Sequence, residues 1–236
     1  MRINWFKYAS PATFYPLAGI LIPWFFAAAA ALVAAGLYIG FFVAPTDAQQ
    51  GEAYRIIYVH VAAAWMSMLL YLAMAFWAGV GLAFNTRLSS MMATAIAPTG
   101  ALMTFVALWT GSFWGKPTWG TWWVWDARLT SELILLFLYL GFMSLQASIE
   151  DPRRADKAGA ILALVGVVNV PIIYFSVQWW NTLHQGASVS LTKSPSMATT
   201  MLTGMLVVAL AFWAYSIAAS LMRLRAIILE RERSAE

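Results

Sequence analysis

The sequence predicts an all-α membrane protein with six transmembrane helices and both termini in the cytoplasm. Its 236 residues are 62% hydrophobic and only 10% charged, whereas a soluble domain carries about 25% charged residues. Six apolar stretches reach the roughly 20 residues that cross a hydrocarbon core. Lipid offers no partners to backbone polar groups, so we expect each stretch to be a helix. The predicted spans are 20–43, 56–84, 91–113, 129–148, 158–178 and 199–222.

Each span has a recognisable boundary or interruption. The first follows an aromatic N-terminal segment, and the second, about 43 Å long at about 1.5 Å per residue, exceeds a hydrocarbon core of about 30 Å. The third span precedes a tryptophan-rich loop, and the fourth follows Asp126, a candidate N-cap. The sixth is followed by a basic tail. Prolines that can kink a helix lie inside the first, third and fifth spans, at Pro23, Pro98 and Pro171.

The distribution of Lys and Arg predicts the orientation, because cytoplasmic loops carry an excess of these residues. The predicted inner side holds ten of them: Arg2, Lys7, Arg87, Arg153, Arg154, Lys157, Arg223, Arg225, Arg231 and Arg233. The predicted outer side holds four: Arg55, Lys116, Arg128 and Lys193. The net charge of +4 reflects this bias, so membrane lipid is the expected surroundings and nucleic acid is not an expected partner.

Tryptophan is concentrated in an outer loop predicted over residues 114–128. Five of the thirteen tryptophans lie within it: Trp114, Trp119, Trp122, Trp123 and Trp125. Indoles at a membrane interface are typical of an aromatic belt, which distributes tryptophan over all helix ends. The crowding at one end exceeds what anchoring requires. We therefore favour a flat apolar binding surface, although a belt remains an alternative.

The chain has two histidines, His60 and His184, and no cysteine. Thiolate ligands, disulfides and a Cys-x-x-Cys-His site for covalent haem attachment are therefore excluded. The predicted topology puts both histidines on the side of the tryptophan-rich loop. Neutral imidazoles bind zinc, copper or haem iron. A catalytic zinc site usually needs three protein ligands, so an acid such as Asp47 would have to join, whereas bis-histidine haem needs only the pair.

The helix face around His60 is open to two interpretations. Ala63, Ala64 and Ser67 lie three, four and seven residues further on and share its face. Small side chains leave room for a porphyrin ring, but they also allow two membrane helices to pack closely. The sequence by itself favours helix packing.

Arg55 and Arg128 are candidates for binding the propionates of a haem, because arginine pairs bidentately with carboxylates. Arg55 equally suits an interfacial anchor. Arg128 lies near the start of the fourth span, where exposed amides favour an anion, although it can also pair with Asp126. Glu132 is expected to face the bundle or the site, because a charge facing lipid is costly.

The run WWVWDAR at residues 122–128, after two Trp-Gly pairs, resembles the tryptophan-rich WWD signature of haem-handling proteins. With six spans and a histidine on either side of the loop, nearly the whole chain is similar to the CcmC family of cytochrome c maturation. The resemblance implies non-covalent haem b with His60 and His184 as axial ligands. It also implies a haem platform and docking surface made of Trp114, Trp119, Trp122, Trp123, Trp125 and Asp126.

The resemblance further implies a location and partners. Haem would be held at the periplasmic face of a bacterial inner membrane and delivered to a periplasmic haem chaperone. ABC-type transporter subunits and a small single-span subunit are the implied associates. The implied activity is haem transfer, with at most assistance to covalent attachment on the chaperone, so an enzyme is not expected. The larger haem lyases of the superfamily carry an extra histidine pair, which this chain lacks.

Two other functional classes stay open at this point. A b-type electron-transfer protein also uses bis-histidine haem, but its histidines are expected deeper in the bilayer on facing helices. A solute permease is expected to carry polar groups at mid-membrane depth. Asn169 is the main candidate for such a group, and a helix-packing hydrogen bond explains it equally well.

Overall fold

The computed structural model describes residues 5–184, 186, 189 and 195–233. Within these ranges the chain is helical, apart from its connections and an isolated bridge between Asp47 and Gly51. The helices are α1 (Pro11–Tyr38), α2 (Ile57–Phe84), α3 (Arg87–Trp119), α4 (Ala127–Ala147), α5 (Pro152–Gly166), α6 (Asn169–Trp179) and α7 (Thr199–Arg233). A π-helical turn, Ile39–Val43, extends α1, and a 3-10 turn, Glu52–Ile56, leads into α2. Six segments are long and apolar enough to cross a membrane, which confirms the predicted all-α, six-span fold.

The fifth membrane segment consists of two helices rather than one. α5 and α6 together cover Pro152–Trp179, but regular hydrogen bonding stops between Gly166 and Asn169. Pro171 has no N–H to donate to the carbonyl of Val167, and its ring clashes with that carbonyl in a straight helix. The carbonyl instead accepts from the N–H of Val170 at 3.1 Å. The proline therefore breaks the span close to its middle.

Helix α3 continues beyond the apolar stretch that predicted it. It ends only at Gly120, whose left-handed backbone (φ 77°) favours glycine. The predicted loop over 114–128 is therefore shortened to 120–126, and Trp114 and Trp119 lie on the helix. The helix thus ends at Gly120, seven residues beyond the end of the predicted span at Phe113.

α2 occupies the centre of the bundle, where it packs on α3 and also contacts α5 and α7. α1 packs along α7, and α4 packs against α3, α5 and α6. Small residues allow close approach of membrane helices. A Cβ on Gly36 of α1 would lie 2.6 Å from Cγ2 of Val208 in α7, and one on Gly40 would lie 2.6 Å from Cε2 of Tyr58. These glycines let α1 approach both α7 and the start of α2.

The two ends of the bundle differ in composition. At one end, called the loop end here, residues 120–126 connect α3 to α4, and α2 and α7 begin. At the opposite end lie the connections at 85–86 and 148–151, with Lys7, Arg87 and Arg153. This separation agrees with the charge bias in the sequence. The placement of both termini in the cytoplasm stays a prediction.

The polar residue expected at mid-span has a structural role. Nδ2 of Asn169 donates to the carbonyl oxygen of Ser131 at 2.9 Å, which joins α6 to α4. Asn169 is buried. The helix-packing explanation of this residue is therefore the one that the structure favours.

Candidate functional site

A cavity opens at the loop end, between α2, α3, α4 and the segment that follows α6. The space between its walls measures about 680 Å³ when the open solvent at its entrance is included. Most of its wall is apolar. Its charged, imidazole and indole side chains are His60, His184, Trp114, Trp119, Arg128 and Glu132.

His60 lies in the first turn of α2, with its ring held against α3. Its Nδ1 atom is 3.0 Å from the carbonyl oxygen of Ala107 and 3.1 Å from Oγ1 of Thr110. A carbonyl oxygen can only accept, so Nδ1 carries the proton and Nε2 keeps its lone pair. The hydroxyl of Thr110 donates to Val106 at 2.6 Å, which orients its oxygen as an acceptor. Metal-binding histidines typically use their second nitrogen in this way.

His184 lies across the cavity from His60, in the non-helical segment after α6. The centroids of the two imidazole rings are 6.3 Å apart, and their planes are inclined by 37°. Two indoles flank the pair. Trp114 meets His60 edge-on at 5.6 Å, and Trp119 lies 6.2 Å from His184. Nε1 of Trp114 donates to Gln50 at 2.7 Å, which fixes its orientation.

The other three tryptophans of the predicted platform lie outside the cavity lining. Trp122 is half-exposed and meets Phe113 edge-on at 5.3 Å, and Trp123 and Trp125 meet at 5.4 Å. Trp125 is 78% exposed. The structure therefore places two of the five tryptophans in the cavity lining and leaves Trp122 and Trp125 exposed, while Trp123 is partly buried. The division follows from Gly120, where the helix that carries the first two ends.

The small face of α2 combines the two interpretations that the sequence left open. Ala64 lines the cavity, while Ala63 is buried against Ala107 of α3. Ser67 donates to Oε1 of Glu132 at 2.7 Å. Glu132 is 7% exposed and lines the cavity, and its Oε2 is buried without a hydrogen-bond partner among the described residues. Glu132 thus faces the site, one of the two positions expected for it.

Asp126 and Arg128 each bond to other groups and not to one another. Oδ1 of Asp126 accepts from the N–H of Leu129 at 2.8 Å, so Asp126 is the N-cap of α4. Its Oδ2 accepts from the hydroxyl of Thr182. Nη1 of Arg128 donates to the carbonyl oxygen of Ile173 at 2.5 Å, which joins α4 to α6 beside the cavity.

Comparison with known proteins shows the family of the chain. The family model of CcmC, heme exporter protein C, matches residues 4–236. The chain belongs to the CcmC family. Heme exporter protein C of Escherichia coli K12 is 48% identical over 226 residues, which cover 95% of this chain and 91% of the relative. That of Bradyrhizobium diazoefficiens is 46% identical over 223 residues, covering 94% and 84%. A ccmC-like mitochondrial protein of cytochrome c biosynthesis from Marchantia polymorpha is 54% identical over 159 residues, 67% of each chain.

Family membership and the six spans also bear on the location of the chain. Its helices are long and apolar enough for six crossings, and its CcmC relatives are matched over most of their length. The chain is a multi-pass protein of the bacterial inner membrane, as predicted.

Arg55 lies outside the cavity in this CcmC chain. Its guanidinium donates to the carboxylate of Glu52 and to the carbonyl oxygen of Gly40, and it lies 5.2 Å from the ring centre of Tyr54. These contacts tie the turn before α2 to the end of α1. Of the two predicted propionate-binding arginines, only Arg128 lines the cavity. The anchoring role, which the sequence left open for Arg55, agrees with its contacts.

Several residues that shape the CcmC cavity were missed by sequence reasoning. Thr110 fixes the ring of His60, Gln50 holds Trp114, and Thr182 contacts Asp126. Gly111 and Gly115 line the cavity one helical turn apart. Their spacing within α3 was the one available signal, because the other contacts join residues distant in sequence.

Gly111 is required for the position of His60. A Cβ at this position would lie 2.8 Å from Cε1 of the imidazole, so the ring would have to move. With His60 as a haem ligand, which the sequence resemblance implies, we expect Gly111→Ala to lower the amount of haem that copurifies with the protein by about threefold to tenfold, since a displaced ligand binds metal less well. Absorption spectra normalised to protein concentration measure the effect.

Gly141→Ala is the matched control for this substitution. A Cβ there would lie 3.8 Å from Cδ2 of Leu162, an ordinary contact on α4. Equal haem content in the two alanine variants would contradict the role assigned to Gly111.

Proposed function

We propose that the chain binds haem in the cavity between His60 and His184 and delivers it to a periplasmic haem chaperone during cytochrome c maturation. Its relatives are named heme exporter protein C, and one is named for cytochrome c biosynthesis. The observation that carries the proposal is the pair of imidazoles across one cavity. Because Nδ1 of His60 donates its proton to the carbonyl oxygen of Ala107 in α3, the lone pair of Nε2 is available to iron.

The separation of the rings supports a single metal between them. Imidazole nitrogens bind a metal at about 2.0 Å, and each lies about 1 Å from its ring centre, so two opposed ligands put their ring centres about 6 Å apart. The ring centres are 6.3 Å apart here. The two imidazole rings are therefore already spaced close to the distance that one shared iron would require.

The cavity wall also suits the rest of a haem molecule. Glycine at 111 and 115 and Ala64 leave space beside the histidines, while Trp114 and Trp119 offer flat apolar surfaces. Arg128 supplies a cation in the same wall, suited to a propionate. Haem brings its iron and porphyrin as cargo, and the residues of this chain hold and orient it.

Transfer, rather than chemical turnover, is the role that this arrangement serves. His60 is fixed by a helix, whereas His184 lies in a non-helical segment that lines the cavity. Trp122 and Trp125 are exposed in the connection between α3 and α4, two helices that line the cavity, and provide an apolar surface for a partner. We propose that the chaperone docks there. ABC-type transporter subunits and a single-span subunit are the other proposed associates.

Two alternative functions are less well supported. An electron-transfer protein would hold its haem between facing helices, whereas only His60 of this pair lies on a helix, in its first turn. A zinc site would need three ligands. Across the described ranges, no group of three or more His, Cys, Asp or Glu side chains is arranged to hold a metal ion.

The proposal is tested with the purified wild-type protein, produced with and without the chaperone, beside the double variant His60→Ala/His184→Ala. We expect a low-spin, bis-histidine haem spectrum in the wild type, loss of most of that haem in the double variant, and haem-loaded chaperone only with the wild type. An intact double variant with wild-type haem content would overturn the assignment of the site. Normal chaperone loading by a haem-free double variant would overturn the delivery role.

A further inference from the structure

The two carboxylate oxygens of Asp126 have different partners. Oδ1 caps α4 by accepting from the N–H of Leu129 at 2.8 Å, while Oδ2 accepts from the hydroxyl of Thr182. A helix cap needs only one acceptor, and serine or asparagine serves as well as aspartate. The second oxygen therefore does something that capping does not require. It joins the start of α4 to a segment 56 residues further along the chain.

The hydroxyl of Thr182 continues this connection to His184. Oγ1 of Thr182 accepts from the backbone N–H of His184 at 3.0 Å, while its proton is directed to Asp126. A hydroxyl has one proton to donate and two lone pairs, so both bonds form together. The carboxylate of Asp126 strengthens this series of hydrogen bonds, since hydrogen bonds to charged groups are stronger than neutral ones. The order of donation runs from His184 through Thr182 to Asp126.

His60 and His184 are held by different means. His60 belongs to α2, and its ring bonds to α3. His184 follows Trp179, the last residue of α6, and lies in a segment without helical hydrogen bonding. Its ring lies 6.2 Å from Trp119 and 6.3 Å from His60. The link through Thr182 thus acts at the histidine that has no helix to fix its backbone.

We propose that Asp126 and Thr182 are positioning residues, which hold the backbone of His184 so that its imidazole faces His60 across the cavity. This inference rests on the proposed function, in which His184 binds haem iron. It gives the aspartate of the tryptophan-rich run a role separate from haem contact. It also adds Thr182, which no sequence pattern singled out.

Two substitutions remove the link and keep neighbouring structure. Thr182→Val keeps the shape of the side chain and removes the hydroxyl, and Thr182→Ser restores the hydroxyl. Asp126→Ser keeps a capping oxygen for α4 but is too short to reach Thr182. Thr203→Val is the matched control, because the hydroxyl of Thr203 bonds within α7, to the carbonyl of Thr199 at 2.8 Å, and to no other described residue.

The experiment records spectra of purified full-length variants in the ferric and ferrous states, during titration with imidazole. We expect Thr182→Val and Asp126→Ser each to lower the low-spin fraction at least about threefold and leave high-spin haem on His60. Added imidazole should restore the low-spin spectrum, because it replaces the displaced ligand. Thr182→Ser and Thr203→Val should resemble the wild type. The double variant should be no worse than either single variant, because both remove one shared link.

The outcomes separate this inference from the function on which it rests. A wild-type spectrum in Thr182→Val and Asp126→Ser, with haem ligation lost in His184→Ala, would overturn only the positioning role. A wild-type spectrum in His184→Ala would overturn the ligand assignment itself. Thermal unfolding identifies a variant that fails to fold. If Thr182→Val fails to fold, the spectrum of Asp126→Ser tests the inference instead, because serine still caps α4. Haem loss that imidazole does not reverse would also contradict the inference.

Discussion

Replacing His60 with alanine is expected to lower the haem bound per protein molecule by at least about tenfold, the lower bound for losing even an outer hydrogen-bond partner of a metal ligand. The ring of His60 is the ligand that the helices orient, with Nδ1 bonded to α3 and Nε2 available. Its removal leaves His184, which lies in a non-helical segment. Haem content and the low-spin band of the purified variant measure the loss.

The same substitution should leave the fold intact, which makes the result interpretable. Thr110 keeps its bond to Val106 at 2.6 Å when the imidazole is removed. Imidazole added to His60→Ala should restore a low-spin spectrum, because small side chains at Ala64 and Gly111 leave room for it. Unchanged haem in a folded His60→Ala variant would mean that the iron lies elsewhere, and the electron-transfer alternative would be reopened.

The helices were predictable from the sequence because lipid requires apolar residues in continuous stretches. Their ends were less predictable. The apolar stretch of α3 ends near Phe113, but its backbone hydrogen bonds continue to Gly120, and the fifth span breaks beside Pro171. Hydropathy reports where the membrane is, whereas capping residues, glycine and proline decide where a helix stops.

The candidate site was predictable where residue types are rare. With two histidines in the chain, their number and predicted side pointed to one pair, and the cavity brings both together. Tryptophan was less informative, because an indole can anchor in the interface or line a pocket, and only helical geometry separates Trp114 from Trp125. Thr182 could not be found, since its bond to Asp126 depends on how α4 and α6 pack.

Arg128 is the arginine whose loss is expected to affect haem binding. Its guanidinium lines the cavity and donates to the carbonyl oxygen of Ile173 at 2.5 Å. We expect Arg128→Met to lower stability by about 2 kcal/mol, the size of a hydrogen bond to a charged group. Haem content should fall about threefold to tenfold, because an apolar wall cannot pair with a propionate. Thermal unfolding and the haem-to-protein ratio measure the two effects separately.

Arg55→Met is the matched control, because the sequence made both arginines candidates for propionate binding and only Arg128 lines the cavity. Both were candidates for propionates, but the guanidinium of Arg55 bonds to Glu52 and Gly40 away from the cavity. We expect Arg55→Met to lower the unfolding temperature without changing the haem content of the folded protein. Arg128→Lys should retain part of the haem, since lysine keeps the charge but loses the planar fork. Equal haem loss in Arg55→Met and Arg128→Met would show that both losses reflect the fold, and the cation of the cavity would then have no direct role toward haem.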